Sequence, residues 1–416
     1  MPPRLLVLTN GHGEDRIALQ LIEALRQQRP ELQVAVLPLV GEGEAFAAAE
    51  KRGLLQRQGP RQTLPSGGFS NQSLRGLVQD LGAGVAGLSL RQWRWVRRWG
   101  RSGEPVLAVG DLLPLLLAWS SGAPFAFVGT PKSDYTWASP PPPGWGASPL
   151  ADAYHRMKGS EWDPWEWQLM ASGRCRLVAV RDPLTARGLR RRGIPARAPG
   201  NPMLDGFQPS GLPPWLSDQR RLLLLPGSRM PEALHNGQRL LAGLEAWHPP
   251  KPCTVLLACG DQPSSTSWDA LLAAGGWREA PLTPEAAAAG ACRCWRRGPL
   301  TLLLGAGQFM GWAPWGEVGL ATAGTATEQL VGLGIPVLSA PGPGPQFKAA
   351  FARRQSRLLG GAARPCRNPA ELAAGLELLL ADGDWRRQLG QIGQRRMGPA
   401  GGSGRLAHLL QRHLLG

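Results

Sequence analysis

Leu222-Leu-Leu-Leu-Pro-Gly-Ser-Arg-Met-Pro-Glu232 is the segment that decides the fold. Its leucines form a short, continuous apolar run, the pattern of a strand buried on both faces. The run breaks at Pro226-Gly227-Ser228-Arg229, and Pro231 stands where a helix would begin, a position that proline favours. Glycine lets backbone approach a ligand, Ser228 offers a hydroxyl, and Arg229 can grip a phosphate with two N–H groups. A helix N-terminus favours anions. Read together, these residues predict a diphosphate site at the carboxyl end of a buried strand. The simpler reading is a strand-to-helix turn with a solvated arginine.

Working outward, Ala321-Thr-Ala-Gly-Thr-Ala-Thr-Glu-Gln329 repeats the arrangement. A buried strand runs into Gly324, after which Thr325 can cap a helix carrying Thr327, Glu328 and Gln329. Orphan N–H groups there suit a phosphate, and a carboxylate or amide one turn in suits vicinal ribose hydroxyls. One capped helix says little, but two such sites behind buried strands in the same half make a paired anion site.

The rest of the chain supplies the frame. Further buried strands are expected at Arg4–Thr9, Gln33–Leu37, Val106–Val109, Phe125–Val128 and Leu177–Val180. A second series comprises Leu222–Leu225, Thr254–Ala258, Leu300–Leu304, Val318–Thr322 and Pro336–Ser339, with helical patterns between several of them. Strand, glycine turn and helix in succession predict an α/β protein of two doubly wound halves. The 416 residues exceed what one core usually supports. The expected division is an N-terminal domain over 1–205, a linker over 206–220, a second domain over 221–385 and a helical tail over 386–416. Ligands would bind in a cleft at the carboxyl ends of both sheets.

Composition narrows the partners. Forty-six basic against 30 acidic residues leave a net charge of +16, which favours anionic partners or simply reflects an arginine-rich composition. The basic residues are dispersed and lie on no recognisable reading element, so nucleic acid is not expected. Six cysteines without a C-x-x-C pair read as free thiols of a reducing compartment. Cys292 and Cys294 lack a second pair, and the six histidines are scattered, so neither metal nor cofactor is expected. The N-terminus has no signal-peptide pattern, and the apolar stretch from Pro105 to Gly129 is broken by Asp111 and several glycines and prolines. Residues 74–99 cluster Trp93, Trp95 and Trp99 with Arg91, Arg94, Arg97 and Arg98, which fits either an anionic lipid interface or a helix burying its tryptophans. The Pro- and Trp-rich stretch over 139–167 reads as an irregular loop.

LPGSRxxE, the later xGTAT(E/Q) and Gly200-Asn201-Pro202-Met203-Leu204-Asp205 resemble, in this order, the hallmarks of the lipid-A-disaccharide synthase family over most of both halves. The resemblance implies a GT-B glycosyltransferase, of which this chain would be a divergent member. It implies an acceptor held mainly by the first domain and a UDP-sugar held mainly by the second. Ser228, Arg229 and Glu232 match the donor motif, Gly324 and Thr325 the second phosphate loop, and Asn201 the interdomain hinge. Two departures stand out. Gln329 occupies a position where the family has glutamate, with Glu328 one place earlier, so either could hold the ribose. The first loop, Asn10-Gly11-His12-Gly13-Glu14-Asp15, also differs from the family's, which leaves the acceptor's identity open.

An inverting transfer needs a base for the acceptor hydroxyl and donors for the departing diphosphate. Asp111 ends an apolar strand at the position of the family's catalytic aspartate, although it also fits a helix N-cap. His12, in the first strand-to-helix loop, is the other candidate. Phe309 and Met310 lie where related folds hold uracil, and Gln346 with Phe347 where they contact sugar or diphosphate. The expected activity is metal-independent, inverting transfer of a sugar, such as one of the N-acetylglucosamine type, to a lipid or glycolipid acceptor. It would take place on the cytoplasmic side, at the inner face of a membrane. A nucleotide-sugar epimerase of the same architecture is the alternative.

Overall fold

The computed structural model describes residues 2–11, 13–62, 85–146, 149–207, 211–260, 262–342 and 347–416. The chain forms two compact units, one of residues 1–137, 148–205 and 398–416, the other of residues 138–147 and 206–397.

The first unit is built on a parallel sheet with the order β3-β2-β1-β4-β5-β6-β7. Its central strands are β1 (Arg4–Thr9), β4 (Val106–Gly110), β5 (Phe125–Gly129) and β6 (Cys175–Val180), flanked by β2 (Gln33–Pro38) and the two-residue strands β3 (Gln56–Arg57) and β7 (Ala196–Arg197). Continuous apolar runs suit these strands because helices cover both faces. On one face α1 (Gly13–Gln28) lays down Ile17, Leu21 and Leu25 at four-residue intervals, beside Leu406 and Leu410 of the C-terminal helix Gly402–Leu410. The other face is covered by α2 (Val85–Gly100), α3 (Leu112–Ser120), α5 (Pro164–Met170) and α6 (Pro183–Arg190), with Val96, Leu115, Met170 and Leu189 among their buried contacts, while α4 (Pro149–Lys158) buries only Lys158.

Asp205 explains how the chain's end returns to this unit. Its carboxylate accepts the backbone N–H groups of Gly401, Gly402 and Ser403, the orphan donors at the start of the C-terminal helix. Gly402 packs on the Asn201–Pro202 backbone, where a Cβ would stand 2.7 Å from the Asn201 carbonyl carbon.

The second unit holds an eight-stranded sheet, β10-β11-β12-β9-β8-β13-β14-β15. Its parallel part comprises β8 (Arg220–Leu225), β9 (Cys253–Cys259), β12 (Leu300–Ala306), β13 (Val318–Ala321), β14 (Val337–Ser339) and β15 (Ala363–Pro365). An antiparallel edge is added by β10 (Arg278–Glu279) and β11 (Arg293–Arg297). The core gathers Leu222, Leu224, Val255, Leu257, Leu302 and Leu320 under α7 (Glu232–Glu245) and α10 (Pro369–Ala381).

Strand order now locates the candidate sites. In the first unit the chain leaves β1 toward β2 and later returns to its other side as β4. In the second it leaves β8 toward β9 and returns as β13. Open parallel sheets bind ligands outside the carboxyl ends of strands at such switch points.

Candidate functional site

In the second unit the switch point lies between β8 and β13, where Leu225 stands opposite Ala321. The two loops flagged in the sequence are therefore neighbours. Thr322 donates its N–H to the Leu225 carbonyl and its hydroxyl to the Pro226 carbonyl, both at 3.1 Å. The Asn236 amide of α7 donates to the same Pro226 oxygen at 3.0 Å. Gly227 turns with φ of 96°, a conformation that favours glycine, and Ser228 follows it into solvent. Arg229 is half-buried. Desolvation lowers the proton affinity of its guanidinium, and the carboxylate of Glu232, first residue of α7, opposes that shift. A partly desolvated cation beside an exposed hydroxyl suits an incoming anion.

Opposite them, α8 (Thr325–Gly332) starts at Gly324 with no side-chain cap. Helix N-termini of this kind point free donors at a ligand. The Gln355 amide, from α9 (Ala349–Leu358), donates to the Gly324 carbonyl at 3.1 Å. Thr325, Glu328 and Gln329 are half-buried, whereas Thr327 is fully buried with its hydroxyl donating to the Ala323 carbonyl just ahead of the helix.

Around this pair, Gly260 beyond β9 closes on Ser228, a Cβ on the glycine falling 3.7 Å from that of the serine. Phe309 opens the short helix after β12 and meets Phe207 edge-on at 5.7 Å, with half-buried Met310 beside it. Phe347 meets Phe351 edge-on at 5.4 Å. Gln346 lies outside the described residues.

Sequence reasoning missed three residues here: Thr322, Asn236 and Arg239. Arg239 binds the Asn236 side chain and lies against Gly342 beyond β14, so α7 braces two loops of the edge. Only the spacing of Asn236 and Arg239, one helical turn apart, could have marked them.

In the first unit the switch point lies between β1 and β4. Gly110 ends β4 with φ of 136°, and a Cβ there would meet the Asn10 Cβ at 3.0 Å and the Pro114 ring at 3.2 Å. Asp111 follows as the N-cap of α3, its carboxylate accepting the Leu113 N–H at 3.2 Å. His12 lies outside the described residues. Glu14, in the first turn of α1, accepts the Thr130 hydroxyl at 3.2 Å. Burial pushes its carboxyl up to about 7, and Asp111 and Asp15 reinforce the shift against hydrogen bonds from its own backbone and Thr130. Burial likewise raises Asp15 to about 6. Asn201 is buried in this unit, where its side chain accepts the Met203 N–H at 3.0 Å, and it lines a pocket with Ile17, Thr130, Arg181 and Leu406.

Among the described residues no three or more His, Cys, Asp or Glu side chains are grouped to hold a metal ion. The sequence matches no protein-family model and no curated protein. Its likeness to known proteins is structural. The calicheamicin glycosyltransferase CalG4 superposes with a TM-score of 0.60 at 16% identity, over 100% of this chain and 99% of that one. A putative UDP-N-acetylglucosamine 2-epimerase from Listeria monocytogenes gives 0.58 at 12% identity, over 100% and 97%. MurG from Acinetobacter baumannii gives 0.53 at 17%, over 99% and 100%. The two Rossmann-like units thus define a GT-B fold, one that carries both sugar transfer and sugar epimerisation.

Proposed function

We propose that this chain is an inverting glycosyltransferase that moves a sugar from a UDP-sugar to a lipid-linked acceptor, in the manner of the lipid-A-disaccharide synthase family. The observation that carries the reading is the junction of the two anion loops through Thr322 and Pro226. It places Ser228, Arg229 and the uncapped start of α8 at one switch point, where a diphosphate would be held. Glu232 completes the first loop, Gly324 and Thr325 the second, and Glu328 or Gln329 would hold the ribose. Phe309 and Met310 would face the uracil, and Gln346 the sugar or diphosphate. Thr327 would act by holding the turn of the helix.

The reaction needs little else from the second unit. As the acceptor oxygen attacks the anomeric carbon, the bond to the diphosphate breaks and its electrons leave with UDP. Arg229 and the α8 N–H groups would stabilise the charge that develops there. The acceptor proton would pass to a base on the first unit, for which Asp111 and His12 are the residues proposed from the sequence. Asn201 would shape the acceptor side.

The lipid acceptor implies a surface to meet it. In α2, Trp99 is only 8% exposed, Trp93 and Trp95 pack on the same core, and Arg91, Arg94, Arg97 and Arg98 face solvent. The largest apolar exposure lies on α4, where Leu150 is 87% and Met157 78% exposed, against 45% for Leu90 of α2. Arginines and an unpartnered apolar face fit an anionic membrane. Among the described residues no helix is long and apolar enough to cross one.

The test is incubation with radiolabelled UDP-sugars and a membrane extract. Label entering the organic phase supports transfer. A changed sugar without transfer supports the epimerase instead.

A further inference from the structure

The base role proposed for Asp111 has a competitor on the same sheet edge. Three strands deliver polar groups to one point of the first unit: Glu14 after β1, Asp111 after β4 and Thr130 after β5. Glu14 is anchored there twice. Its N–H donates to the Gly11 carbonyl at 3.1 Å, and the Thr130 hydroxyl donates to its carboxyl. Gly110 lies against it, a Cβ on that glycine falling in ordinary contact, 3.5 Å from the Glu14 Cγ. Asp111 spends a carboxylate oxygen on the Leu113 N–H as the N-cap of α3.

We propose that Glu14, held at the carboxyl ends of these strands by Thr130 and Gly11, is the proton acceptor of the reaction. The inference rests on the transfer reading above. The acceptor hydroxyl gives its proton to a Glu14 carboxylate oxygen while its own oxygen bonds to the anomeric carbon. The bond from that carbon to the diphosphate breaks, and UDP carries away the electron pair. Glu14 then returns the proton to water. The charged groups that face it are Asp111 at the start of α3 and Asp15 in its own turn, and Arg181 reaches the backbone carbonyl of Thr130 at 3.3 Å. With a proton affinity near neutrality, a carboxyl is matched to this task at physiological pH.

The test is the pH–rate profile of the full-length enzyme and three variants, with UDP affinity measured in parallel. Wild type is expected to lose activity below about pH 7 as Glu14 becomes protonated. Glu14→Gln should lower kcat by roughly a hundred- to ten-thousandfold at unchanged UDP affinity, and Glu14→Asp should recover part of the loss. Asp111→Asn should move the acid limb to lower pH, because it removes a negative charge that raises Glu14. Full activity in Glu14→Gln, or abolished turnover in Asp111→Asn with the limb intact in Glu14→Gln, would overturn the assignment and leave the transfer reading standing. A wild-type enzyme that binds UDP and transfers nothing would instead overturn the transfer reading.

Discussion

The Thr322 hydroxyl donates to the Pro226 carbonyl across 3.1 Å, joining two loops that lie 96 residues apart in the chain. The same oxygen accepts the Asn236 amide, so it takes one hydrogen bond from each side. Both loops keep their place because this buried carbonyl is satisfied from two elements at once. Thr322→Val preserves the volume and removes one donor. It should cost about 1 kcal/mol of stability, read from chemical denaturation, and should weaken UDP binding through the loosened junction. Unchanged UDP affinity would mean that the loops hold their positions without it.

Arg229 tests the donor site directly. Arg229→Ala should weaken UDP binding by about 1.5–3 kcal/mol, the usual size for a charge-assisted hydrogen bond. Calorimetric titration with UDP reads this, and titration with uridine serves as control, because the nucleoside has no phosphate to lose. Equal losses for both ligands would remove Arg229 from the diphosphate. Arg229→Lys should restore only part of the affinity, since a point charge replaces a two-pronged donor.

Much of the fold was legible because its strands are buried on both faces. Continuous apolar runs such as Leu5–Leu8 and Leu222–Leu225 leave little other choice, and the loops after them follow from where each run stops. The edge was harder to read. β11, Arg-Cys-Trp-Arg-Arg, looks like a charged surface segment and becomes a strand only by pairing with β12. The braces of the candidate sites were hidden for another reason. Thr130 meets Glu14 across 116 residues, and no local pattern encodes a partner so distant. The tryptophans of α2 show a third limit. Their spacing fits a lipid face or a core face equally, and packing turns them inward, with Trp95 stacked on Trp99 at 5.9 Å and Arg4 over Trp99 at 4.5 Å.

Asp205 is expected to be a structural residue. Asp205→Ala would leave three helix-terminal N–H groups without their acceptor, costing about 1–3 kcal/mol. Hydrogen exchange should speed up first over residues 402–410, ahead of the sheet. Uniform acceleration throughout the first unit would show that the C-terminal helix does not open separately.

The raised carboxyls give stability a definite pH dependence. Burial lifts Asp134 to about 7, as it does Glu14, with Asp182 and Glu161 adding to the shift against hydrogen bonds from Glu161 and Trp137. Each group binds its proton more tightly in the folded chain than in the unfolded one. Its contribution is therefore fully present below the ordinary carboxyl range and is lost as pH rises to about 7. Glu14→Gln and Asp134→Asn should each melt above wild type at about pH 8, and the gap should close on acidification toward about pH 4. A gap independent of pH would trace the effect to packing.

Leu150 and Met157 lie seven residues apart on α4, two turns of one face, with Tyr154 between them at 41% exposure. Lys158 of the same helix binds Asp163, which caps α5, so the face is held on a fixed base. Because both side chains are exposed, Leu150→Glu with Met157→Glu should leave the melting temperature unchanged. The double variant should still lose flotation with vesicles containing anionic lipid, since it removes apolar contact and adds repulsion. Reversing the α2 arginines should weaken flotation in a salt-dependent way, because their contribution is screened over about 10 Å at 0.1 M salt. Binding that ignores both salt and lipid charge would leave the arginines without a role, and flotation undiminished in the α4 variant would move the membrane contact to another face.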